Sequence, residues 1–348
     1  MRKLASIQRI TSKESIPDAD RIELVHVLGW QCVAGKDEFN VGDLVVYFEI
    51  DSFLPVCPEF EMLRKNSYKK NDFMGEGFKL KTMKFRGQIS QGLCMPINTF
   101  EKLNSVNIEE GLDVTDILNV KEWELPERAT SEGTMTNGRP AYIPKTDETR
   151  VQSAPALLNE FAGLPYYITT KLDGSSHSVG ISGDEVSYTS HRCTLKDDDT
   201  SAFVKYIKSH GYHEKMLSYM KEHQINRLVL QGEWCGEGIQ KNRLKLKNPD
   251  WFVFTAIVND ERTDLETLRE LCNYVGCCMV PVEEEGSDLT KQYPTIEDLL
   301  ERAQGEGYNH TTREGIVVRP ITPVYCRRLQ GPLSMKIINN KYLIKNDD

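Results

Sequence analysis

Residues 166–189 read YYITTKLDGSSHSVGISGDEVSYT. An apolar β-run ends on Lys171, Asp173 follows two places on, and Gly174 stops the run. A hairpin signal, HSVGIS then GDE then VSYTSH, comes directly after. Alone, Lys-Leu-Asp-Gly is an ordinary strand end, because Asp-Gly favours a turn and lysine suits a strand terminus. Charge on other apolar runs changes that reading. LVLQGEWCG places Glu233 at the end of one, REGIVVRP puts Glu314 before another and Arg319 after it, and SMKIINNKY sets Lys336 between Met335 and Ile337. In a strand, a single charge among apolar neighbours faces the side opposite to them. Unpaired inward charges are costly, so together these residues predict one polar cleft between sheets, where lysines and carboxylates satisfy one another.

Working outward, the segment from 151 to 348 reads as an α+β domain built on antiparallel sheet. YYITTKL, the hairpin, NRLVLQGEW, WFVFTAIV, GIVVRP and SMKII are its strands. Helical periodicity covers about 199–222, with Gly211 placed to break it, and returns in LETLRELCNYV and TIEDLLERAQG. Residues 1–110 look all-β: LASIQRI, RIELVHVLGWQCVA, DLVVYFEI and GQISQGLCMPI are separated by turns, which suits a small barrel. Between them, 111–150 is polar and turn-rich, the pattern of a linker or crossing loop.

Composition sets further limits. With 39% hydrophobic and 27% charged residues, the chain has the make-up of a folded protein. A net charge of −9 argues against a general polyanion coat. It leaves room for a local basic groove, and basic residues do cluster at Lys65–Arg86 and again at Lys241, Arg243, Lys245 and Lys247. Nine scattered cysteines without a CxxC fit neither a disulfide scaffold nor a zinc knuckle. No segment has the length of a signal or a membrane span, which predicts an intracellular protein with no membrane partner. No obligate protein partner is evident.

KLDG (171–174), LVLQGE (228–233), WFVFTAI (251–257), EGIVVR (314–319) and SMK (334–336) resemble, in order and spacing, the motifs of the covalent nucleotidyltransferases: nucleic acid ligases and capping enzymes. IPKTDETRVQ (143–152) looks like the leader of RNA ligases. GWQCV, GDLVVYFEIDSFLP and FRGQISQGLCMP resemble the N-terminal OB-like module of the Deinococcus-type, nick-sealing RNA ligases. The resemblance spans nearly the whole chain. It implies an OB-like β-barrel followed by a larger nucleotidyltransferase domain with an ATP-grasp-like ligase fold. It also implies an ATP-dependent ligase that joins 3′-OH and 5′-phosphate ends through a lysyl-AMP intermediate and an adenylylated 5′-phosphate.

On that resemblance Lys171 is the nucleophile. A free lysine titrates near ~10.4, so the amine must lose a proton before attack, and cationic neighbours would favour its neutral form. Lys336 would lie near the ATP α-phosphate. Glu233 would contact the ribose or the water shell of Mg²⁺ or Mn²⁺ and Glu314 would help position that metal, with Asp173 on a metal-bound water, since hard oxygen ligands suit these ions. Phe254 would stack adenine opposite Val317 or Ile316. Arg150 and Arg319 would contact phosphate, Arg192 would hold the acceptor strand or ribose, Thr170, Leu172 and Gly174 would line the nucleotide, and no proton transfer falls to His177 or His191. The partner would be a nicked duplex with an RNA 3′-OH strand, gripped by Lys84 and Arg86 of the first module; the rival for that module is a purely stabilising scaffold. Only twelve residues follow Lys336, which leaves no room for the C-terminal OB domain of DNA ligases and capping enzymes. A GTP-using capping enzyme, a DNA ligase and a non-catalytic RNA-binding protein are the alternative readings.

Overall fold

The computed structural model describes residues 2–123, 135–136, 138–198 and 200–346. The chain forms two compact units: Met1–Glu127 with Gln152–Pro155 and Leu343–Asp348, and Arg128–Val151 with Ala156–Tyr342. No helix among the described residues is long and apolar enough to cross a membrane.

The first unit is built on five antiparallel strands, β1 (Ala5–Ser15), β2 (Ile22–Val27), β3 (Trp30–Gly35), β4 (Leu44–Phe48) and β5 (Leu93–Pro96), in the order β5-β4-β1-β2-β3. β1 serves two partners: Ala5 to Arg9 pair with β4, and Ile10 to Ser15 pair with β2. A register shift between Ile10 and Ser12 lies where the partner changes, and a bulge there lets one long strand bend round the core. β4 is apolar throughout because both of its faces are covered. Val46 and Phe48 join one core cluster, while Val45 and Tyr47 join another.

Val114, Leu118 and Val120, from the stretch expected to be a linker, are buried in the first of these clusters. Their irregular spacing carries no helix or strand period, which hid them in the sequence. Residues 124–134 and 137 of that stretch lie outside the described residues. Lys84 and Arg86 are exposed on a hairpin of Met83–Phe85 and Gln88–Ser90. Its two turn residues, Arg86 and Gly87, have φ of 45° and 85°, as a tight two-residue hairpin requires.

The second unit is built on two main sheets, with a two-stranded ribbon of Tyr325–Cys326 and Gly331–Pro332 beside them in sequence. The larger is centred on β7 (Ser175–Ser182), β8 (Glu185–Thr189), β9 (Arg227–Cys235) and β10 (Asp250–Val258), in the order β8-β7-β9-β10. The smaller runs β11-β6-β12-β13, from Val282–Gly286, Tyr166–Lys171, Gly315–Pro320 and Met335–Ile338. Among the described residues, pairing between the unit's strands is antiparallel apart from a short parallel contact of Phe252 and Val253 with Cys278 and Met279 and a single parallel bridge of Arg150 with Lys336, so the unit is a mixed-sheet structure. Helices α1 (Ala202–Ser209), α2 (Tyr212–Glu222) and α3 (Leu265–Val275) bury Phe203, Val204, Met216, Leu268 and Leu271 against Val179, Leu228, Leu230 and Trp251. Gly211, at φ 64°, separates α1 from α2, as expected of that residue. The strand residues that alternate with this core point the other way. Along β9 these are Val229, packed on Ile143, Gln231, which donates to the Pro144 carbonyl at 2.8 Å, and Glu233.

Candidate active site

Lys171 ends β6 in the smaller sheet, and β7 of the larger sheet begins at Ser175, so Leu172–Gly174 carries the chain from one sheet to the other. Gly174 is required there by close packing. A Cβ would lie 2.5 Å from the Trp234 carbonyl oxygen and 2.6 Å from Cys235 Sγ. Its backbone φ is not in the left-handed region, so the turn itself does not demand glycine.

Register fixes which side chains share the lysine's face. Lys171 pairs with Gly315, Thr169 with Val317 and Tyr167 with Arg319, and Val317 pairs in turn with Lys336. Directly paired residues point to the same side of a sheet. Val317, Arg319 and Lys336 therefore stand with Lys171, while Ile316 is buried on the opposite side. Thr170 and Leu172 also face away: Thr170 donates to Glu283, and Leu172 is packed with Cys235, Leu244 and Phe252.

Around the amine the charges are negative. Lys171 Nζ donates to Glu314 Oε1 at 2.8 Å. Burial by itself would push the lysine's pKa down, but Glu314, Glu233 and Asp173 outweigh it and hold the amine above its ordinary value. Carboxylates, not the cationic neighbours expected to favour a neutral amine, act most strongly on Lys171, and they keep it protonated. Burial pushes Glu233 up to about 8, with Lys171 opposing and Glu314 and Asp173 adding to the shift. Glu314 is also raised by burial, against the pull of Lys171 and Lys336.

Asp173 carries hydrogen bonds of its own. Its Oδ2 accepts from Arg243 at 2.9 Å and from the Tyr342 hydroxyl at 2.7 Å. Arg319 is likewise engaged: it donates to the Phe254 carbonyl and to Glu148 Oε1 at 2.6 Å, and its guanidinium lies 5.7 Å from the Phe254 ring centre. Glu148 also accepts from Ser334. The sequence put Arg319 on phosphate, but the buried carboxylate beside it takes the guanidinium instead. Arg192 is exposed in the loop after β8, where Arg139 grips the Ser190 and His191 carbonyls at 3.1 and 2.6 Å. Arg150 bridges to Lys336 through backbone pairing. Lys84 and Arg86 belong to the other unit.

A divalent cation fits this donor set in one particular way. Among the described residues, no three His, Cys, Asp or Glu side chains group closely enough to hold a metal by themselves. Yet Glu314 Oε2 is buried without a hydrogen-bond partner, and Glu233 stands beside it in the same electrostatic cluster. One or two carboxylates completed by water and phosphate oxygens is how Mg²⁺ is commonly held.

Known proteins give this geometry a context. A model of an OB-fold domain matches residues 4–97, and a model of RNA ligase matches residues 164–338. Among curated proteins none matches. Among solved structures, the Naegleria gruberi RNA ligase with PPi is 33% identical over 100% of both chains, with a TM-score of 0.87. A lysine-to-alanine mutant of the same enzyme, with ATP and Mn, is 32% identical over 99% of both chains, at 0.87. A glutamate-to-alanine mutant with AMP and Mn is 33% identical over 99% of both, again at 0.87. The first unit is accordingly OB-like and the second nucleotidyltransferase-like, and the chain belongs to the RNA ligase family.

Proposed function

We infer that the protein is an ATP-dependent RNA ligase that works through adenylylation of Lys171. The observation that carries this reading is the buried Lys171 amine, 2.8 Å from Glu314, with Glu233 acting on it and Val317 and Lys336 on the same sheet face. An amine suits the task because its bond to phosphorus is stable enough to hold AMP and labile enough to release it.

In the first step the Lys171 proton passes to Glu314 Oε1, which already accepts its hydrogen bond. A bond then forms from Nζ to the α-phosphorus of ATP. The bond from that phosphorus to the bridging oxygen breaks, and pyrophosphate leaves. Next, an oxygen of the 5′-phosphate attacks the α-phosphorus, the N–P bond breaks and the amine regains its proton. Finally the 3′-OH attacks the phosphorus of the adenylylated 5′-phosphate and gives up its proton to solvent, the P–O bond to AMP breaks, AMP departs and a 3′–5′ phosphodiester is made. Lys336 offsets charge developing on the α-phosphate. Mg²⁺ or Mn²⁺, held by Glu233 and Glu314, would supply further neutralisation of phosphate charge. Asp173 would join them on releasing Arg243 and Tyr342. Phe254 and Val317 form the adenine walls, Arg319 and Glu148 support the first of them, and Arg150 and Arg192 reach phosphate and ribose.

The nucleic-acid substrate is a nicked duplex whose 3′-OH strand is RNA, as in the Deinococcus-type ligases, with Lys84 and Arg86 on its backbone. The two sheets of the second unit are read as ATP-grasp-like. The test is sealing of two nicked duplexes that differ only in a ribose or a deoxyribose at the 3′-OH end. Sealing confined to the ribose end is expected. Equal sealing of both would make the protein a DNA ligase instead, and label transferred from GTP in place of ATP would make it a capping enzyme.

A further inference from the structure

We propose that the loop 236–249 is a nucleic-acid contact, holding the phosphodiester backbone of the substrate beside the adenylylated lysine. It leaves β9 after Cys235 and enters β10 at Asp250. Its inner edge touches each of the three residues that follow Lys171. Leu244 is buried in one cluster with Leu172, Arg243 donates to Asp173 at 2.9 Å, and Gln240 donates to the Gly174 carbonyl.

The loop is also fastened to itself and to the chain beside it. Asn242 accepts from the Leu246 amide at 3.0 Å and donates to the Leu246 carbonyl at 2.9 Å. Asn309 donates to the Leu244 carbonyl at 2.9 Å. Gln240, Asn242 and Lys245 all take left-handed backbone, with φ of 45°, 42° and 55°. Such conformations persist where surrounding contacts over-determine them.

The outer edge is basic. Lys241, Lys245 and Lys247 are exposed, and between them Arg243 and Leu244 turn inward. On a chain of net charge −9 these lysines form a local positive row. Lysines on a loose tail would be a solvated charge run. Here the backbone that carries them is pinned to Leu172, Asp173 and Gly174, so the row holds a fixed place relative to the nucleophile. From Lys241 to Lys247 the chain can span at most about 20 Å. Charges spread over such a length suit a polyanionic strand better than a mononucleotide.

The proposal rests on the RNA ligase reading, and its test separates the two. Lys241→Gln, Lys245→Gln and Lys247→Gln are combined in one variant. Lysyl-AMP formation is read by intact mass. Binding of a nicked RNA duplex is read by fluorescence anisotropy across salt, and sealing is followed in a single turnover from pre-adenylylated protein. Lysyl-AMP formation should match wild type, which also shows that the variant folds. The slope of log affinity against log salt should shrink by about 2 to 3 for three lost phosphate contacts, with sealing slowed in step. An unchanged slope and unchanged sealing would overturn the proposal, and so would a loss confined to lysyl-AMP formation. If wild type itself takes no AMP, the ligase reading falls, while the salt slope of binding still decides whether the loop touches nucleic acid.

Discussion

Two buried acid–base groupings on the same sheet face have opposite electrostatics. In the first, burial raises the pKa of Glu148, yet Arg319, Arg262 and Ser334 overcome it and hold the carboxyl at about 2. Arg319 is 5% exposed there and Glu148 10%. In the second, Lys171 lies among Glu314, Glu233 and Asp173, with Arg243 paired to Asp173 and Lys336 acting on Glu314, and Glu233 is still left at about 8. In the first grouping both Glu148 oxygens accept, from Arg319 and Ser334, and the unpartnered buried atoms are on the arginine side, at Arg319 Nε and Arg262 Nη1. The second leaves the Glu233 carboxyl raised and a Glu314 oxygen buried without a hydrogen bond, which is the condition of a site awaiting positive charge.

If that contrast is right, substitutions should sort by consequence. Arg319→Met leaves Glu148 buried and uncompensated, and should cost about 3–5 kcal/mol of stability in denaturant unfolding. Glu314→Gln should leave stability almost unchanged while slowing lysyl-AMP formation by about 10²–10³-fold, the scale of losing one electrostatic contact in a transition state. Activity lost together with stability in both variants would erase the distinction.

A smaller effect concerns pH. The Glu233 carboxyl is raised from its ordinary 4.5 to about 8, so between those values the folded protein binds more protons than the unfolded chain. Its contribution to stability is therefore present below pH 4.5 and is lost as pH rises through about 8. Glu233→Gln removes this dependence. Its melting temperature should rise relative to wild type on going from pH 5 to pH 8 without ligand; a pH-independent difference would remove Glu233 from the cluster.

Much of the site was legible because nucleophile, carboxylates and second lysine each sit in a strand with a readable period. Alternation alone assigned Lys171, Glu233 and Lys336 to a face, and register then chose Val317 over Ile316. The same periodicity marked the helices about Gly211. What escaped were single residues whose meaning comes from distant partners. Tyr342 meets Asp173 across 169 positions and Arg243 meets it across 70. Nothing near Asp173 in sequence indicates either partner. Glu148 was quoted within the leader, but its claim on Arg319 spans 171 positions. The sign of the field at Lys171 was missed for a related reason: its nearest partner, Glu314, lies 143 residues away.

The central claim is that Lys171 becomes covalently adenylylated, and intact mass measures this directly. Purified protein is incubated with ATP and Mg²⁺, with GTP and Mg²⁺ in parallel, beside Lys171→Ala. Any AMP carried over from expression is removed first with pyrophosphate. The account predicts a gain of one AMP from ATP alone and none in the variant. No gain in the wild type, or the same gain in Lys171→Ala, would contradict it.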